Sequence, residues 1–197
     1  MDNPRLLPIS TTMKFDTDIT IVGGGLNGPI LAIALARAGI TTTVIDALTT
    51  KVRKNAAFDG RSYAVALTSQ RLLKSIGLWD ALSDDAQPML EIKVTDGRAG
   101  EGPSPFFLHF DHAEIEEGPM GYLVEDRYLR RAFLDAMEAE PLITLRHQER
   151  VVAQDTSDGA SVTLASGEVL KGRVLIGSDG RRSGTAERAK IKRTGWG

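Results

Sequence analysis

The sequence predicts an α/β fold built on a parallel sheet, and three observations carry that prediction. The glycine turn Gly23-Gly24-Gly25-Leu26-Asn27-Gly28 lies between the apolar run Ile19-Thr20-Ile21-Val22 and a small-residue helix over residues 30–38. A second strand closes on Asp46, 18 residues beyond Gly28. Much later, Val174-Leu175-Ile176 has the short, continuous apolar character of a buried parallel strand and opens into Gly177-Ser178-Asp179-Gly180.

The first two observations combine into a Rossmann-like dinucleotide cradle. Gly23 lets the chain reverse, Gly25 lets bare backbone approach a pyrophosphate, and Gly28 lets the helix lie close on the strand. Peptide N–H groups at the helix start, those of Leu26 and Asn27 among them, face the phosphates, where the helix dipole also favours negative charge. Asp46 stands near the offset of about 20 residues at which a carboxylate receives ribose hydroxyls, and an acid there disfavours a 2′-phosphate. FAD and NAD both satisfy these demands. Pro29 falls in the first helical turn, where its missing N–H costs little. Ala32, Ala34 and Ala36 keep the helix slim, and Gly39 ends it.

Size and composition exclude several function classes. At 197 residues with 42% apolar content, the chain can hold one full domain or one domain and part of another. Its 24 basic and 26 acidic residues leave a net charge of −2, so no global field draws it to nucleic acid. Cysteine is absent, which removes disulfides, thiolate chemistry and cysteine-ligated zinc. No apolar run nears the length needed to span a bilayer, and a soluble, cytoplasmic protein is expected. Residues 1–15 lack periodicity and are expected to be a flexible leader, with Met13 as an alternative start.

Later elements follow in order. Residues 47–60 are polar and expected to be loop; Thr68 is placed to cap a helix carrying Leu72, Leu73 and Ile76, closed by Gly77. Leu78, Trp79 and Leu82 continue an apolar face. From Leu90 the period becomes two, with Ile92 and Val94 on one side, which predicts a half-buried strand. A link over residues 97–105 leads to a second strand at 106–110 and an acidic stretch at 111–117. This pair is either part of a second sheet or a surface hairpin of the first unit. Asp126 is placed to cap a helix whose stripe is Tyr128, Leu129, Ala132, Phe133, Ala136 and Met137, ended by Pro141. Strands are expected at 143–145, 151–153, 162–164 and Val169, with turns at Ser157-Asp158-Gly159 and Ser166-Gly167. His109, His112 and His147 show no metal-ligand spacing, so no metal site is expected, and no Ser-His-Asp or Cys-His pairing appears.

Three ordered segments resemble the flavoprotein aromatic hydroxylases, the FAD monooxygenases typified by para-hydroxybenzoate hydroxylase. They are the glycine cradle with Asp46, the stretch Asp59-Gly60-Arg61-Ser62-Tyr63-Ala64 leading to Ile76-Gly77-Leu78-Trp79, and Gly177-Ser178-Asp179-Gly180-Arg181-Arg182-Ser183. The middle segment and Gly121-Tyr122-Leu123-Val124-Glu125-Asp126-Arg127 are similar to the UbiH-like branch of ubiquinone biosynthesis. The resemblance covers nearly all of residues 16–197. It implies a glutathione-reductase-type FAD-binding fold with β-rich insertions and an incomplete second, substrate domain. On that division residues 16–88 and 121–184 form the FAD-binding domain, 89–120 belong to the substrate-domain sheet, and 185–197 begin the rest of that domain. The chain is then expected to be the amino-terminal portion of a longer flavoprotein, whose later Gly-Asp motif it lacks.

The same resemblance implies flavin or phosphate contacts for Arg61, Arg127 and Asp179. The family pattern carries an arginine three residues after the motif's serine, where this chain has Ala186, with Arg188 two further on. Arg181, Arg182, Arg188, Lys190, Lys192 and Arg193 form a basic cluster able to meet a nicotinamide cofactor's phosphates or simply to face water. By resemblance NADH or NADPH reduces FAD, and molecular oxygen is delivered to an electron-rich prenylated phenol, so the cofactor carries the chemistry. A lipid-tailed substrate further implies peripheral contact with the inner membrane and a place in a ubiquinone-biosynthesis protein complex. A non-catalytic nucleotide-binding unit and an NAD dehydrogenase are the competing readings.

Overall fold

The computed structural model describes residues 14–98, 100–114, 117–157, 159–192 and 194–195. Most of the expected leader, Asp158 of the first late turn and Arg193 of the basic cluster lie outside them. The chain runs β1 (Thr17–Val22), α1 (Asn27–Arg37), β2 (Thr42–Asp46), the one-turn helix α2 (Thr50–Arg53), β3 (Ser62–Ala66) and α3 (Leu67–Ser75). Then come β4 (Gln87–Pro88), β5 (Glu91–Arg98), β6 (Gly102–Asp111), β7 (Gly121–Glu125) and α4 (Asp126–Ala139). β8 (Ile143–His147), β9 (Val151–Asp155), β10 (Ala160–Leu164), β11 (Val169–Gly177) and α5 (Gly184–Arg188) follow.

A six-stranded sheet in the order β8-β2-β1-β11-β10-β9 organises the molecule. Its first four strands are parallel; β10 then pairs antiparallel with β11, and β9 antiparallel with β10 at the edge. Ile21 therefore sits between Val44 and Ile176 in register. Side chains alternate across a strand, so consecutive residues serve opposite faces. Val44 and Ile176 join the core under α1 and α4, whereas Ile45 and Leu175 pack with Val162, Leu164 and Leu170 on the other side. α1 brings Ala32, Ile33 and Ala36 to the first core, and its small side chains let α4 approach with Leu129, Phe133, Leu134 and Met137. Gly39, at φ +83°, closes α1 as expected, with its N–H donating to Ala36 O at 2.9 Å and that of Ile40 to Leu35 O at 3.0 Å. Leu78, Trp79 and Leu82 are buried as the apolar pattern requires, with the Trp79 and Tyr122 rings 4.7 Å apart.

Several local expectations are corrected. The stretch expected to be loop after Asp46 contains α2, whose amino end is capped by the Thr49 hydroxyl accepting from Val52 N at 3.1 Å. Thr68 lies inside the first turn of α3 instead of capping it, because the helix begins directly from β3 with Ala66 at the cap position. Leu72 is 48% exposed while Leu73 and Ile76 are buried, so α3 turns only a narrow stripe inward. Asp126 is the first residue of α4, not its cap, and spends its carboxylate on arginines. The strands expected at Val169 and at 174–176 are one strand, β11, antiparallel to β10 through its first half and parallel to β1 from Gly172 to Gly177. Val174 is 49% exposed, so this strand is not buried on both faces.

β5 and β6 pair with each other as a separate two-stranded sheet, Ile92 opposite Phe110 and Val94 opposite Leu108. Strand pairing extends into the expected link, joining Gly97 to Pro103. The alternation predicted the strand correctly but not its burial, since Ile92, Val94, Phe107, Leu108 and Phe110 are all exposed. β3, β7 and β4 form a third small sheet that carries Val65 and Val124 into the first core.

Phe133 is 1% exposed and belongs to the core that α4 shares with α1 and the sheet. Phe133→Ala is expected to lower the free energy of unfolding by about 3–5 kcal/mol, read from the urea midpoint at unchanged slope.

Candidate functional site

The site begins where β1 ends. Gly23 has φ +115°, and a Cβ there would lie 2.3 Å from Ser178 O. At Gly28 a Cβ would lie 2.0 Å from Gly23 O, and at Gly24 it would meet Asp46 Oδ2 at 2.5 Å. These three glycines are demanded by the protein's own packing. Gly25 differs, because nothing stands within 4 Å of its Cβ position, so its bare backbone faces open space. α1 starts at Asn27 with no side-chain cap and no acidic residue in its first turn. Its orphan amides and dipole are thereby left for an external anion.

A cleft of about 410 Å³ opens in front of this turn, within the range of ~300–1,000 Å³ usual for small-molecule sites. Gly23, Gly25 and Asp46 form one wall, Glu149 to Val151 another, and Ser178 to Gly180 with Arg188 a third. It lies at the carboxyl edge of the parallel strands, where open α/β sheets bind ligands. The Asp46 side chain is 9% exposed, accepting from Arg53 Nε at 2.5 Å and from Leu48 N at 3.1 Å. A carboxylate accepts about four hydrogen bonds, so two remain for a ligand's hydroxyls.

Asp179 reaches the same cleft but is also a structural anchor. It accepts from the Ser183 hydroxyl, from Thr185 N at 2.9 Å and from Thr185 Oγ1 at 3.0 Å. Burial pushes its pKa up, but these hydrogen bonds outweigh burial and hold the carboxyl below its ordinary value. Arg188 comes back to the cleft from α5, its Nε donating to Gln154 Oε1 at 3.1 Å. Ala186 leaves the position of the expected arginine without a charge, and Arg188 supplies one nearby.

A second depression of about 220 Å³ lies beside Gly25 and Leu26, lined by Arg53, Arg61, Tyr63, Asp126 and Arg130. Arg61 binds Asp59 at 2.6 Å and the buried Asp126 at 2.7 Å. The Asp59 contact raises the Arg61 pKa, and the Arg61 contact lowers that of Asp59. Arg127 is held elsewhere: Nε lies 2.6 Å from Glu125 Oε2, Nη1 donates to Ala56 O at 3.1 Å, and the guanidinium covers the Tyr128 ring at 4.7 Å.

The tertiary structure thus brings Gly23, Gly25, Asp46 and Asp179 to one cleft, and Gly25, Leu26 and Arg61 to the adjoining one. Asn27 and Gly28 begin α1 behind them, and Arg127 borders neither. Arg53, Arg130, Arg150 and Gly24 escaped sequence reasoning. Only the polar 47–60 stretch hinted at Arg53, and Gly24 is needed because Asp46 crosses beneath it. Away from this region, the hairpin sets Glu91, His109 and Asp111 ligand atoms within 4.8 Å of one another, a cross-strand proximity invisible in linear spacing. Lys93 Nζ, 2.6 Å from Glu91, competes for that carboxylate. Among the described residues, no helix is long and apolar enough to cross a membrane.

Comparison with known proteins matches residues 16–197 to the FAD binding domain family. The ubiquinone hydroxylase UbiL of Rhodospirillum rubrum is 44% identical over 185 residues, 93% of this chain and 42% of that protein. The 3-demethoxyubiquinol 3-hydroxylase of Escherichia coli K12 is 33% identical over 91% of this chain and 45% of its own length. The chain spans less than half the length of these curated relatives. The flavin-dependent monooxygenase PieE, solved with FAD and substrate, superposes with a TM-score of 0.73 at 21% identity, over 93% of this chain and 34% of that one. Pseudomonas aeruginosa PqsL gives 0.74 at 23% identity, over 91% and 47%. These structures show the fold, in agreement with the FAD-binding α/β architecture expected from the sequence.

Asp179→Asn, which keeps one acceptor oxygen but loses the charge and the second, is expected to cost about 0.5–2 kcal/mol at pH 7. A folded-state pKa below the unfolded value gives stability that is present above pH about 4 and lost as the pH falls through the folded value. The difference between wild type and Asp179→Asn should therefore shrink on acidification, as chemical denaturation at pH 7 and pH 3 would measure.

Proposed function

Because the chain belongs to the FAD binding domain family, we propose that its cleft holds the adenosine diphosphate half of FAD. In this reading the whole protein is an NAD(P)H-requiring monooxygenase that hydroxylates a prenylated phenol in ubiquinone biosynthesis. The observation that carries it is the uncapped start of α1 facing a 410 Å³ cleft whose glycine wall also carries the Asp46 carboxylate. Open space at Gly25 beside glycines that packing demands is what a diphosphate lying against bare backbone requires.

FAD, when bound, accepts reducing equivalents from NADH or NADPH and supplies the oxygen chemistry. The chain's own residues bind and orient. Amides from Gly24 to Asn27 take the diphosphate, and Asp46 accepts from the ribose. Asp179 fixes the turn that forms the cleft's third wall, while Arg53, Arg150 and Arg188 offset the ligand's negative charge. Arg61 serves the flavin side of the diphosphate from the second depression. Arg127 would join it by exchanging the Ala56 carbonyl for the cofactor. The basic residues around α5, Arg181, Arg182, Arg188, Lys190 and Lys192, are the surface offered to the reductant's phosphates.

Residues 16–88 and 121–184 are assigned to the nucleotide domain and 89–120 to the substrate side, with residues beyond 184 leading back to it. The exposed aromatic and aliphatic side chains of the β5–β6 hairpin support that assignment, since a buried prenyl chain needs apolar lining. Ubiquinone as the pathway rests on the relatives' activities. Contact with the inner membrane and with other enzymes of the pathway belongs to the same proposal. A second reading is a nucleotide-binding unit without catalysis of its own, in which the same cleft and the same residues serve binding alone.

A visible spectrum after FAD addition and gel filtration tests the binding claim, with a retained flavin band expected and its loss in Asp46→Ala. The whole protein should oxidise NADH or NADPH in a phenol-dependent manner and yield hydroxylated product. Retention of NAD in place of FAD would overturn the reading, and flavin retention without product would favour the second one.

A further inference from the structure

We infer that Arg130 is a positioning residue, which holds α2 so that Arg53 stays clamped on Asp46 and presents its charge to the nucleotide cleft. The inference rests on the proposed binding of a nucleotide diphosphate there. α2 spans only Thr50–Arg53, too short a helix to persist by its own hydrogen bonds. Thr49 caps its amino end, while its carboxyl end is held from outside. Arg130 Nη1 donates to Val52 O at 3.1 Å and to Arg53 O at 3.2 Å, placing a cation where helix carbonyls and dipole both favour one.

Arg130 is itself fixed. Its side chain is 10% exposed, and its Nε donates to Asp126 Oδ2 at 2.6 Å, one turn earlier on α4. Asp126 is 3% exposed at its side chain, and α4 is anchored by Leu129, Phe133, Leu134 and Met137. The chain of contacts therefore runs from the core through Asp126 and Arg130 to α2, and through Arg53 to Asp46. Arg53 binds Asp46 through Nε alone among the described residues, and its side chain borders both the cleft and the second depression. The remaining guanidinium donors are thus available beside Gly25. An uncompensated Asp46 carboxylate would repel a diphosphate lying on the neighbouring amides, and Arg53 cancels that repulsion.

A double-mutant cycle on this chain tests the relay, with dissociation constants for ADP and FAD measured by calorimetric titration at fixed ionic strength and melting followed in parallel. Arg53→Gln is expected to weaken both ligands about tenfold, and Arg130→Met by a similar factor. In the Arg53→Gln background, Arg130→Met should add less than about twofold, because its effect passes through Arg53. Equal losses in both backgrounds, or a lowered melting temperature with wild-type affinity, would overturn the relay. Should Arg130→Met fail to fold, Arg130→Lys keeps a cation but lacks the separate Nε and Nη1 donors that reach Asp126 and the two carbonyls at once, and the same cycle applies to it. Wild-type protein binding neither ADP nor FAD would defeat the nucleotide reading together with the relay, whereas tight wild-type binding with multiplicative losses would defeat the relay alone.

Discussion

Contact between backbone and backbone at Gly23 and Gly28 is the constraint on which this molecule rests. With no side chain between α1 and the end of β1, the helix is pressed onto the sheet so closely that any Cβ at Gly28 would collide with Gly23 O. That closeness aims the uncapped amides of α1 at the carboxyl edge of the sheet. It also sets the depth at which Ala32, Ile33 and Ala36 meet α4, so the core and the ligand cleft share one origin.

Around that contact the protein places charge with care. Asp46 and Asp126 are buried carboxylates, met at hydrogen-bonding distance by Arg53 and by Arg61 with Arg130, respectively. Pairs of this kind are weak evidence of net stability, because desolvation opposes attraction. Their evident effect is geometric. They tie α2 and α4, elements far apart in sequence, to the residues that surround the cleft, and they hold guanidinium groups beside a carboxylate that would otherwise repel an anionic ligand.

The β5–β6 hairpin obeys a different balance. Its alternation and pairing are those of an ordinary half-buried strand pair, yet its apolar side chains face outwards on a sheet of only two strands. Neighbouring exposed apolar side chains of this kind fit the substrate-side role proposed for the hairpin. The six-stranded sheet, by contrast, has a cluster of buried apolar residues on each of its faces within this chain.

Local chemistry made much of this legible in the sequence: the glycine spacing, the acid closing β2, the stripe of α4 and the alternation of β5 each follow from backbone sterics or from a fixed side-chain period. The sequence alone determined the α/β class and pointed to Gly23, Gly25, Asp46 and Asp179, which the fold brings to one cleft. Only the tertiary structure decided that β11 is a single strand, that Asp126 answers arginines instead of capping α4, that the apolar side chains of the hairpin are exposed, and that Arg53 reaches the cleft and Arg130 the second depression. Those outcomes turn on how separate elements meet, as between Arg130 and Arg53, 77 positions apart, or on what lies across a sheet face. Periodicity in a linear chain carries no record of either.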